Sequence, residues 1–171
     1  MHKETTGGGW CGISHGLSGQ MTNSLLLIAW PEGDQVHTSL RSVTAWMLPP
    51  VYTGNATVTQ IWSSVNETQY EVIFRCQNCF TWQGGEEVET KVSTKAGQIV
   101  LGRAQGVDAP QAPKCPSKLL FGFHDHGYGQ YGANLENATH TSYSAWAARA
   151  TQSPTTDCVN IPEYTTKPTP T

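Results

Sequence analysis

The stretch FGFHDHGYGQYG (121–132) holds two histidines, His124 and His126, one residue apart. A surface loop has no need of two imidazoles, and a packed strand does not favour them. Imidazole is a common ligand of iron, copper and zinc, so the stretch is a candidate metal-ligand segment. A second candidate stands in GQMTNSLLLIAW, where Met21 lies just ahead of the most apolar run of the chain. Alone, a methionine is usually core filler and a histidine a structural or surface residue. Together, a thioether and an imidazole form an axial set for haem iron, one that leaves no open position and favours electron transfer. The chain has no Cys-x-x-Cys-His run, so such a haem would be held non-covalently. Spacing alone does not establish the pair.

Cys76 and Cys79, in FRCQNC, close a strand-like segment. A redox pair would want a helix N-terminus to lower a thiol pKa, and none follows. A zinc ribbon would want a second close pair of ligands, and Cys115 and Cys158 are isolated. What is left is a small disulfide pinning the strand end. Cys115 with Cys158 could tether the tail to the body, although connectivity is not readable from sequence.

The elements that must position these residues read as strands. SLLLIAW (24–30) is a short apolar run ended by a Pro-Glu-Gly-Asp turn. QVHTSLRSVTAW (35–46) and ATVTQIWSSVN (56–66) are strand-like, and QYEVIFRC (69–76) alternates Tyr70, Val72 and Phe74 on one face. VETKVST (88–94), GQIVLGRAQG (97–106) and YGQYGANL (128–135) complete the set. Short strands at spacings of roughly 10 residues with turns between them predict an antiparallel β-sandwich. Only NATHTSYSAWAARAT carries a helical pattern.

At 171 residues the chain has room for one domain, expected over 1–150. The segment 151–171, rich in Thr and Pro, reads as a linker that can lead to a further module. Charged residues make up 13%, against roughly 25% in an average globular domain, which suits a secreted β-protein with a polar surface. The net charge of -3 argues against a nucleic-acid partner, and no apolar run is long enough to span a membrane. Sequons at Asn55, Asn66 and Asn137, with five cysteines, point to an oxidising, extracellular compartment. The start MHKETTGGGWCG lacks the apolar stretch of a signal peptide, which predicts that the natural N-terminus has been lost.

Three segments in order, GGGWCGISHGLSGQMTNSLLLIAW, FRCQNCFTWQGG and FHDHGYGQYGANLENATHTSYSAW, resemble the cytochrome domain of fungal cellobiose dehydrogenase and its stand-alone secreted relatives. The resemblance covers residues from about 10 to 148. It implies an all-β, immunoglobulin-like sandwich holding a b-type haem, here without the first strands of the family. Met21 falls on the family's Gly-x-Met-x-Asn-x-Leu-Leu-Leu ligand pattern, and His124 on its Phe-x-x-His pattern. Between His124 and Tyr128 one residue must be inserted, and Gly127 suits a bulge. The resemblance also implies the disulfide Cys76–Cys79. It places Trp46 where the family has a tyrosine near the haem propionates, and it makes Arg41 a cofactor contact as well.

The function implied is extracellular electron transfer, with a flavin dehydrogenase as donor and a copper polysaccharide monooxygenase or another acceptor. No substrate turnover is expected of the domain alone, and the linker can lead to a cellulose-binding module. A haem-free carbohydrate-binding sandwich is the alternative, since six tryptophans could form a sugar-stacking platform, although Trp30, Trp46 and Trp62, on strands, are more often core.

Overall fold

The structure, a computed structural model, describes residues 2–4, 9–16, 18–83, 89–95, 97–159 and 161. Ten strands are present among them: β1 His2–Glu4, β2 Trp10–Ser14, β3 Ser24–Glu32, β4 Gln35–Val43, β5 Thr57–Val65, β6 Gln69–Gln77, β7 Thr81–Gln83, β8 Glu89–Lys91, β9 Gln98–Gly106 and β10 Tyr128–Asn134. Two short helices follow, α1 Leu135–Ala138 and α2 Tyr143–Ala148. A five-stranded antiparallel sheet runs β10-β9-β2-β3-β4, a three-stranded one β1-β6-β5, and β7 pairs with β8. The expected all-β sandwich is the observed architecture.

β3 explains how the sheets use the chain. Its run from Ser24 to Trp30 is buried at every position, whereas a strand with one solvated face alternates. Leu25 packs with Trp82 and Ile99, and Ala29 with Val36, Tyr70 and Val72, between the sheets. Leu26, Ile28 and Trp30 belong to a separate cluster with Trp10 and Leu119, on the outer face of the five-stranded sheet. That outer face is therefore covered in part, by Leu119 and Phe121 of the segment between β9 and β10.

Two expectations need correction. Trp62 is 43% exposed rather than core. Gln60 pairs with Phe74 and Trp62 with Ile73, so Ile61 is an extra, bulged residue that breaks the alternation. The helical segment divides in two, with Asn134 capping α1 by accepting from the Glu136 N–H. Beyond the expected boundary at 150/151 the chain stays in contact with the body. Gln152 bridges to Gln60, the Asp157 N–H donates to the Lys114 carbonyl, and Cys158 is bonded to Cys115. Residues 151–158 are thus strapped to the body, and positions 160 and 162–171 of the expected linker lie outside the described residues. Cys76 and Cys79 form the second disulfide.

Candidate haem site

The outer face of the large sheet is a trough. Two rows of paired residues cross it. Leu26, Ser14, Gly102 and Gln130 face one another across β3, β2, β9 and β10, and so do Ile28, Gly12, Ala104 and Tyr128. In both rows the two central strands contribute only small residues, and the outer strands contribute large ones. The result is a concave floor that broader side chains would fill: a Cβ on Gly12 would come 2.9 Å from Ile28 Cδ1. Above this floor lies a cavity of about 490 Å³, within the range of small-molecule and cofactor sites. Its walls include Met21, Trp46, Pro49, Phe121, Phe123 and His124.

Met21 is delivered by the loop between β2 and β3. The Ser14 hydroxyl donates to the Gln20 carbonyl at 2.5 Å and the Ser24 hydroxyl to the same oxygen at 2.6 Å. Gly19, at φ +68°, packs against the backbone of Leu101 and Gly102, a conformation and a closeness that favour glycine. Met21 is partly buried against the Trp10, Leu26, Ile28 cluster.

His124 enters from the opposite segment. Its ring lies 4.0 Å from that of Phe123 and 4.7 Å, edge-on, from that of Tyr128. Its Nδ1 is buried and has no hydrogen-bond partner. The following turn is fixed to β9: His126 N–H donates to the Gln105 carbonyl, Gln105 N–H to the Gly127 carbonyl, and Val107 N–H to Asp125 Oδ1. Gly127 has φ +105°, which only glycine adopts readily. This turn carries His126 out to solvent, away from the residues that line the cavity.

Trp46 stands at the mouth, 73% exposed. Arg41, for which the resemblance implies a cofactor contact, is not among the residues lining the cavity. It is 3% exposed and donates to Ser39 Oγ and to the carbonyls of Pro49, Pro116 and Leu119. Its guanidinium lies over the ring of Phe121, 5.8 Å from the centroid. Its donors are engaged by the chain itself. Asn55, Asn66 and Asn137 are all exposed.

The site therefore offers an apolar slot, a soft thioether and an imidazole with an orphaned buried nitrogen, a donor set that fits a haem. Sequence reading missed the floor. Its signal was present as small residues at period two, Gly12-x-Ser14-x-Gly16 in one segment and Gly102-x-Ala104-x-Gly106 in the other.

Residues 1–145 match the family model described as the cytochrome domain of cellobiose dehydrogenase, and the chain belongs to that family. It is 46% identical to the cytochrome domain of Myriococcum thermophilum cellobiose dehydrogenase, with a TM-score of 0.83 over 89% of this chain and 73% of that one. The cytochrome b domain of pyranose dehydrogenase from Coprinopsis cinerea is 31% identical, with a TM-score of 0.70 over 90% of this chain and 75% of that one. A pyrroloquinoline quinone-dependent pyranose dehydrogenase of Coprinopsis cinerea shares 33% identity over 147 residues, 85% of this chain and 19% of that protein. The chain thus spans about a fifth of that relative's length. Membership implies haem b binding and electron transfer as the class of function. Among the described residues no helix is long and apolar enough to cross a membrane.

Proposed function

We propose that Met21 and His124 are the axial ligands of a b-type haem in the trough, and that the domain relays single electrons between a dehydrogenase and an acceptor. The observation that carries this reading is the presence of both side chains on one apolar cavity, with His124 Nδ1 lacking any protein partner. Bound there, the haem supplies one-electron iron chemistry at a potential raised by the thioether ligand. The chain's own parts are to hold, shield and expose. Gly12, Ser14, Gly102 and Ala104 accommodate a flat group, and Phe121 and Ile28 exclude water. Trp46, at the mouth, offers an indole N–H in place of a phenol donor to the propionates. Were Met21 and His124 both to hold the iron, no position would be left on it for a substrate.

In this reading the donor is a flavin dehydrogenase and the acceptor a copper polysaccharide monooxygenase or another redox protein. The exposed sequons and the two disulfides support secretion, and the segment after Cys158 can lead to a cellulose-binding module. The test is to mix the haem-loaded domain with cellobiose, with and without a flavin-dependent cellobiose dehydrogenase. Haem reduction only when the dehydrogenase is present supports the relay. Cellobiose oxidation by the domain alone, or a colourless protein retained on cellulose, contradicts it.

A further inference from the structure

Arg41 is a buried cation without a counter-ion. Its four hydrogen-bond acceptors are one hydroxyl and three carbonyls, all neutral. The ion pair Lys114–Glu32 lies elsewhere, and no carboxylate meets the guanidinium among the described residues. Burying a charge this way is costly, and neutral acceptors solvate it without cancelling its field. Burial lowers its pKa from 12.5 to about 10, so it is still charged at neutral pH.

The position of this charge is specific. Arg41 pairs across the sheet with Leu26, which lines the trough. Its Nη1 donates at 3.2 Å to the carbonyl of Pro49, another wall residue, and its guanidinium lies over the ring of Phe121, 5.8 Å from the centroid. Arg41 does not itself line the cavity, but Leu26, Pro49 and Phe121, which do, are its direct neighbours. These neighbours are apolar, and the burial of the cation limits screening of its field by water.

We infer that Arg41 is a positioning charge that raises the reduction potential of the haem proposed for the trough, acting through Phe121 and Leu26 rather than by pairing with a propionate. The inference rests on the haem reading above. A fixed positive charge nearby favours the form that has gained an electron, and the step is one electron with no proton transferred. A unit charge about 10 Å away at an effective dielectric of ~20 changes the reduction equilibrium by roughly tenfold, about 59 mV for a one-electron couple.

Because Arg41 also braces the loops around Pro49 and Pro116, removing it risks the fold. The test therefore uses two independent routes on the haem-loaded domain, with midpoint potential, visible spectrum and melting temperature as readouts. Ser39 accepts from Arg41 Nε at 2.9 Å, so Ser39→Asp adds a counter-charge while Ser39→Asn adds similar bulk without charge. Ser39→Asp should lower the reduction constant roughly tenfold relative to Ser39→Asn. Along the second route, Arg41→Gln should lower it similarly with the low-spin spectrum retained. Arg41→Lys should lose comparable thermal stability but keep most of the potential. Equal potentials for the two Ser39 variants overturn the inference, as does a Lys variant that falls as far as the Gln variant. A wild-type domain that shows no low-spin haem spectrum overturns the haem reading instead, and this inference with it.

Discussion

Ser14 and Ser24, at the facing ends of β2 and β3, donate their hydroxyls to a single acceptor, the Gln20 carbonyl, at 2.5 and 2.6 Å. The peptide that leads into Met21 is thereby clamped from both strands. Losing one such bond costs about 1 kcal/mol and frees the loop on one side. Ser24→Ala should therefore give a haem-loaded protein with a larger five-coordinate fraction, growing on warming. Visible spectra between 10 and 45 °C, about the range in which small domains stay folded, check this. An unchanged temperature dependence would show that the clamp does not hold Met21.

Gly102 carries a second constraint. A Cβ there would overlap the Gly19 carbonyl oxygen and crowd Ser14 Cβ, and the first is backbone that cannot rotate away. Gly102→Ala should cost about 1–3 kcal/mol and lower the melting temperature by roughly 5 °C. It should also weaken haem retention, since Gly102 forms part of the floor. Thermal unfolding with and without haem measures both, and a variant as stable as wild type would contradict the account of the trough.

Much of this was legible in the sequence because alternation and apolar runs report burial directly. The segments 24–30, 69–76, 97–106 and 128–135 each lie on an observed strand, allowing for a residue or two at the ends. Met21 and His124 were legible as ligand types, and the structure brings them to one cavity. Other features depend on partners far along the chain. Arg41 looks the same in sequence whether it faces a cavity or the carbonyls of Pro116 and Leu119, 75 and 78 residues away. Trp62 was misread because one extra residue, Ile61, reverses the faces after it. The tail looked like linker because its composition cannot form a core, yet a disulfide and backbone bonds hold it without one.

Two buried histidines give a pH dependence with a definite sign. Burial lowers the His15 pKa from its ordinary 6.5, partly offset by the Leu25 carbonyl. Burial lowers that of His37 too, with Glu32 raising it and Lys114 lowering it. As pH falls through 6.5 the unfolded chain takes up protons that the folded imidazoles resist, so their contribution is intact above 6.5 and lost below it. The melting temperature should hold steady down to that pH and then decline. The double variant His15→Gln/His37→Gln should decline less steeply between pH 6.5 and 5, about where only histidine titrates. Equal slopes would remove these residues from the explanation.

The Cys115–Cys158 bond closes a sequence separation of 43. Chain-entropy reasoning assigns such a loop about 3–4 kcal/mol. Cys115→Ala/Cys158→Ser should unfold earlier and lose the tail to protease between 151 and 161, where Thr155 N–H otherwise donates to Gln35 Oε1. Limited proteolysis followed by mass measurement shows the outcome, and equal protection in both proteins would mean that the backbone bonds suffice.

Met21 and His124, and not His126, are proposed to hold the iron. Spectra and midpoint potentials of haem-loaded wild type, Met21→Ala, His124→Ala and His126→Ala decide this. The wild type should be low-spin and six-coordinate, His124→Ala should lose six-coordination, and Met21→Ala should have an opened site and a lowered potential. The His126→Ala spectrum should match wild type, because that residue is turned to solvent by Gly127. An unchanged Met21→Ala spectrum, or loss of six-coordination in His126→Ala with His124→Ala intact, would rule out this ligand pair.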